Sequence, residues 1–155
     1  MKVNDVMTQN VRACFASDDL ATAARLMWDH DCGCVPVLNE HAQVVGMITD
    51  RDICMAVFFQ GAPLSEIKVS SVMSRRLFVC TSDDDLSAAE GIMSEKKVRR
   101  LPVLDGQARL VGILSLSDIA RRADHEYVHA AVTRAVTDSQ VARLAAAVSR
   151  PRRAA

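Results

Sequence analysis

Apolar positions along the chain follow two alternating rhythms. Leu20, Ala23 and Met27 recur at helical spacing, and they are followed by "CVPVLN" (34–39) and "QVVGMI" (43–48), apolar runs of strand length bounded by polar turns. The same succession returns with Leu86, Ala89 and Met93, then "RLPVLD" (100–105) and "RLVGIL" (109–114). A short strand precedes each helix, "VRAC" (11–14) and "FVCT" (78–81). Ser17 and Ser82 then stand as expected caps, ahead of the acidic turns Asp18–Asp19 and Asp83–Asp85. Asp105-Gly106 reads as a hairpin turn. A second helix is predicted to open at Thr49 and at Ser115.

These two successions are one repeat. A shift of 66 residues, without a gap, places Val6-Met7 on Val72-Met73, Cys14 on Cys80, Asp18-Asp19-Leu20 on Asp84-Asp85-Leu86, and Pro36-Val37-Leu38 on Pro102-Val103-Leu104. It also superposes Val45-Gly46 on Val111-Gly112 and Asp52-Ile53 on Asp118-Ile119. The expected fold is therefore α/β (α+β), with a β-α-β-β-α unit at 1–62, a second at 63–122, and a C-terminal helical extension with a basic tail at 123–155. A unit of about 60 residues is marginal as an independent core. The two copies are expected to pack sheet to sheet about a pseudo-twofold axis, leaving two equivalent clefts.

Composition narrows the function classes. Among 155 residues, Lys plus Arg and Asp plus Glu each number 19, so a nonspecific electrostatic attraction to nucleic acid is not expected. "MKVNDVMTQNV" has no apolar stretch of the signal-peptide kind, and no run approaches the ~20 apolar residues that span a bilayer. The expectation is a cytoplasmic protein with no membrane partner. The five cysteines (Cys14, Cys32, Cys34, Cys54, Cys80) then read as reduced thiols.

The chemistry concentrates in "GMITDRD" (46–52) and "GILSLSD" (112–118), which share Gly, two apolar residues, Thr or Ser, two variable residues and Asp. As structure alone, Thr49 or Ser115 caps a helix and Asp52 or Asp118 closes a short capping box. As a site, the same helix N-terminus offers free N–H groups to a phosphate, and the carboxylate one turn in can accept a ribose diol. Gly46 and Gly112 permit close backbone approach.

The doubled pattern "DVMT…DDL…AARLM…GCVPVLNE…VVGMITDRDI" and "SVMS…DDL…GIM…VRRLPVLDG…LVGILSLSDI" resembles a pair of CBS domains, together called a Bateman module. The resemblance implies a regulatory, noncatalytic module that binds AMP, ADP, ATP or S-adenosylmethionine between the repeats, with no resident cofactor, and that forms a flat homodimer through its helical faces. It implies that Thr49 and Ser115 meet phosphate or ribose and that Asp52 and Asp118 hold the ribose hydroxyls. The backbone around Cys34, Val35 and Pro36, and around Arg100, Leu101 and Pro102, would line the adenine together with the regions near Val11 and Leu77. Arg51 is placed to neutralise a phosphate, where the second copy has Ser117, and Arg99 and Arg100 are placed to offset that difference. The alternative within this reading is a structural dimerisation module without ligand.

Two rival signals are weaker. "HEYVH" (125–129) carries His125, Glu126 and His129 in the spacing of a zinc metallopeptidase helix, but residues 130–155 offer only Asp138 as a carboxylate and no histidine or cysteine as third ligand. "HDCGCVPV" (30–37) crowds thiols and a histidine, yet under the repeat shift Cys32-Gly33-Cys34 falls on Val98-Arg99-Arg100, so no metal site is expected there. Trp28, the only tryptophan, is expected in the core or at an interface.

Overall fold

The computed structural model describes residues 1–130, with side chains through Ala123. In chain order the elements are β1 (Thr8–Gln9), β2 (Cys14–Phe15), α1 (Leu20–Asp29), β3 (Cys34–Leu38), β4 (Val44–Thr49) and α2 (Asp50–Gln60), then α3 (Val69–Val72), β5 (Cys80–Thr81), α4 (Leu86–Lys96), β6 (Arg100–Leu104), β7 (Leu110–Ser115) and α5 (Leu116–Ala130). The expected α/β fold of two tandem units packed sheet to sheet is the one observed. The expected basic tail lies outside the described residues. No helix among the described residues is long and apolar enough to cross a membrane.

One sheet has the order β1-β7-β6-β5 and the other β2-β3-β4. They are closer to equivalent than those orders suggest. β1 pairs with β7 at Thr8 and Ile113, and 66 residues away Ser74 and Met47 form the matching bridge at the free edge of β4. The Met47 N–H donates to the Ser74 carbonyl at 3.1 Å, and the Ser74 N–H returns the bond at 2.8 Å. The opening segment of each unit thus completes the sheet of the other: Val3 joins the second core, and Ile67, Val69 and Met73 join the first.

Each core lies between a sheet and its helices. Val35, Val37 and Ile48 meet Leu20, Ala23 and Met27 in the first, and Leu101, Val103 and Leu114 meet Ala89 and Met93 in the second. Cys34 and Pro36 alternate with Val35 and Val37 and are buried on the opposite face, which explains why β3 reads as an unbroken apolar run. Pro36 is tolerated there because Met47, its partner in β4, turns both its backbone groups toward Ser74.

Three local expectations are corrected. The helix caps are Asp19 and Asp85, not Ser17 and Ser82, and the Asp19 side chain accepts from the Thr22 N–H at 2.8 Å. Asp18 and Asp84 turn back instead to the N–H groups of Phe15 and Thr81. The strands expected over "VRAC" and "FVCT" shrink to two residues, because each has only a two-residue parallel ladder with its neighbour. The hairpins are not Asp-Gly turns. Asp105 and Asn39 each accept two backbone N–H bonds, and the left-handed position falls to Ala108 (φ 59°) and Ala42 (φ 58°).

Gly46 and Gly112 serve the crossing segments. A Cβ on Gly46 would lie 2.7 Å from the Ser74 carbonyl oxygen, and one on Gly112 would lie 3.0 Å from that of Thr8 and 2.6 Å from the Met7 sulfur. Gly46→Ala is expected to lower stability by about 1–3 kcal/mol in urea unfolding. Gly91→Ala, in helix α4 with nothing within 4 Å of its Cβ position, is expected to raise it by about 0.5–1 kcal/mol.

Candidate functional site

A cleft of about 200 Å³ lies between the two repeats. Its walls come from three stretches: Cys34, Met47 and Thr49 of the first repeat, Ser74 and Phe78 of the crossing segment, and Arg99 and Arg100 at the start of β6, with Arg76 beside them. Among the described residues no carboxylate lines it, so three guanidinium groups set its potential. The Arg76 guanidinium lies 5.5 Å from the centre of the Phe78 ring, which holds it over an aromatic face.

Thr49 stands at the mouth of the cleft as the N-cap of α2. Its backbone is extended (φ −118°, ψ 162°), and the first N–H groups of the helix are met within the protein: Asp50 donates to the Gly33 carbonyl at 3.3 Å, Arg51 to the Asp50 side chain at 2.7 Å, and Asp52 to the Thr49 hydroxyl at 3.2 Å. Asp52 replies through one oxygen only: Oδ2 accepts from the Thr49 N–H at 2.9 Å and from the Thr49 hydroxyl at 2.7 Å. Its Oδ1 has no protein partner among the described residues.

The counterpart at Ser115 is built alike and filled differently. Asp118 Oδ2 accepts from the Ser115 N–H at 2.8 Å and the Ser115 hydroxyl at 2.5 Å. Its Oδ1 accepts from the Thr8 hydroxyl at 3.0 Å and pairs with Arg121, one turn along α5. Asp118 is 5% exposed and is the one buried charged residue among those described.

Of the positions expected around a ligand, Cys34, Thr49 and Arg100 line this cleft, with Asp52 behind Thr49. Val35 and Leu101 direct their side chains into the helix-side cores, and Pro36 and Pro102 are fully buried outside the cleft lining. Arg51 is exposed outside the lining, and Val11 and Leu77 are half-buried in the segments leading into β2 and β5. Ser115 and Asp118 lie outside this cleft, at the start of α5. The residues not expected are Val98, Met47, Ser74, Arg76 and Phe78. For the last three the available signal was their alignment with residues 8–12 under the repeat shift.

A larger groove of about 410 Å³ runs on the outer face between α1 and α2. Asp31 and Asp50 are its charged residues and Trp28, Ile53 and Cys54 its apolar ones, which disfavours an anion and suits apolar contact.

The thiols are governed by burial. It pushes Cys14, Cys34 and Cys80 up to about 11, and Arg100 only partly opposes this at Cys34. Cys32 is raised for the same reason. A thiol held protonated is a poor nucleophile and a poor metal ligand. Among the described residues no three His, Cys, Asp or Glu side chains converge as a ligand set. His125, Glu126 and His129 fall on α5, but their side chains lie outside the described residues.

Two β-α-β-β-α units, each with a carboxylate-capped helix N-terminus after its last strand, define a tandem-repeat α/β module. The CBS domain family model matches this chain twice, over residues 3–58 and 69–125. The CBS domain-containing protein YhcV of Bacillus subtilis is 38% identical over 118 residues, covering 76% of this chain and 82% of that protein. A crystal structure of Hypoxic Response Protein I with two coordinated zinc ions has a TM-score of 0.70 at 29% identity, over 78% of this chain and 98% of that one. A crystal structure of CBSX2 in complex with AMP has a TM-score of 0.68 at 27% identity, over 79% and 95%. The chain belongs to the CBS domain family, as a tandem pair. CBS domain proteins are generally regulatory and non-catalytic.

Thiol chemistry offers a direct check of the burial pattern. At neutral pH an aromatic disulfide reagent is expected to modify the exposed Cys54 rapidly and Cys14, Cys34 and Cys80 only on unfolding, with Cys34 gaining reactivity as the pH approaches 11. Rapid native-state modification of Cys34 at pH 7 would contradict it.

Proposed function

We propose that this protein is a noncatalytic regulatory module that binds an adenosine-containing ligand (AMP, ADP, ATP or S-adenosylmethionine) between its repeats. The observation that carries the reading is the Thr49–Asp52 arrangement. A helix N-terminus and three arginines face one cleft, and a carboxylate oxygen beside them is open. The first two suit phosphate, and the third suits a ribose hydroxyl. Thr49 takes phosphate or ribose, Asp52 takes ribose, and the backbone of Cys34, Val35, Pro36, Arg100, Leu101 and Pro102, with Val11 and Leu77, borders the base; Ser115 and Asp118 hold the equivalent positions in the second repeat. Arg51 supplements the phosphate charge. The AMP held by the related CBSX2 supports the same ligand class. Five free thiols accord with a cytoplasmic setting.

Ligand free energy acts on such a module only through the difference it makes between two geometries of the cleft. The receiver of that change includes a second copy of the chain. Trp28 is 87% exposed, Phe58 76% and Phe59 75%, all on α1 and α2, and aromatic surface of this extent suits a helical-face homodimer.

In a thermal-shift panel of AMP, ADP, ATP, S-adenosylmethionine and NADH, at least one adenosine ligand at a hundredfold excess over its Kd is expected to add about 2.7 kcal/mol, roughly 5–10 °C in Tm. Asp52→Ala should remove that shift. A flat response across the panel would refute ligand sensing. Separately, Phe58→Asp combined with Trp28→Asp is expected to convert a dimer into a monomer by light scattering.

A further inference from the structure

We propose that the two clefts are not equivalent: the Thr49–Asp52 cleft takes one phosphate-bearing adenosine ligand, while Arg121 and Thr8 occupy the Asp118 carboxylate and close its cleft to a second. This rests on the functional reading above and adds a stoichiometry and a residue that sets it.

An ionised carboxylate has about four acceptor positions. Asp118 uses four, two from Ser115 and one each from Thr8 and Arg121. Asp52 uses two, both from Thr49, and its Oδ1 remains for a ligand diol. The difference is written into the repeat. The first-repeat counterparts of Thr8 and Arg121 are Ser74 and Met55, and neither donates to Asp52: Met55 has no donor, and Ser74 lines the cleft without reaching the carboxylate. A ribose entering beside Asp118 must displace a buried, charge-assisted bond, which weakens binding about tenfold to hundredfold relative to Asp52. Phosphate selectivity points the same way, because Arg76, Arg99 and Arg100 all line the open cleft.

Isothermal titration of the full chain with ATP tests this. The expected result is one site per chain, tighter for ATP than for AMP, and lost in Asp52→Ala. Arg121→Met, which installs the first-repeat residue on a half-buried helical position, should bring a second site into range, and that site should persist in Arg121→Met with Asp52→Ala. Two sites of equal affinity in the wild type, or one site in Arg121→Met at a hundredfold excess of ATP, would overturn the closure. AMP binding as tightly as ATP would overturn the phosphate assignment. Failure of every adenosine ligand to bind either form would instead refute the functional reading beneath it, and the closure with it.

Discussion

The reciprocal backbone pairing at the sheet edges, Met47 with Ser74 and Thr8 with Ile113, is the interaction on which the remaining geometry depends. It satisfies the edge of β4 and β7, which would otherwise present open donors and acceptors. It also binds each repeat to the opening segment of the other, so neither sheet is complete within its own stretch of chain. Gly46 and Gly112 make the approach possible, since any Cβ there meets the crossing backbone or the methionine beside it. The cleft follows from the crossing. Ser74, Arg76 and Phe78 reach it only because their segment is held against β4 before it turns toward β5.

Within that frame the capping box serves two purposes with one set of atoms. Thr49 and Ser115 end a strand and start a helix, and their carboxylate partners fix the first turn. Because a carboxylate has more acceptor capacity than a cap requires, the surplus is available to something else. In one repeat it is left over behind Thr49, which lines an arginine-rich cleft, and in the other it is consumed by the protein. Near-identical local structure thus differs in its hydrogen bonding, through Arg121 three residues on and Thr8 110 residues away.

That distance explains what was legible. Helices α1 and α4, the paired strands and the Thr49–Asp52 and Ser115–Asp118 boxes are contacts within a few residues, and the 66-residue shift doubled each signal. Arg121 was within reach of inspection, three positions beyond Asp118 on a helix. Thr8 was not, being 110 residues from its partner. The shift to Asp19 and Asp85 as caps reflects a competition among three adjacent acidic or hydroxyl residues, settled when Asp18 and Asp84 engage the strand before the helix. Trp28 was expected in a core or an interface, and its exposure on α1 rules out the core. The left-handed alanines at 42 and 108 carry no compositional mark, because the Asx side chains two to four residues earlier impose the turn.

The crossing also sets an order of events during synthesis. Residues 64–74, which cover the first sheet, follow it closely in the chain, so the first repeat can close as soon as they emerge. β1 precedes β7 by about a hundred residues, so its pairing of Thr8 with Ile113 must wait until β7 has been made. On a translating ribosome β1 therefore stays unpaired while the intervening repeat is made. A fusion or trigger that holds this leading strand away would leave the first repeat intact and stall the second.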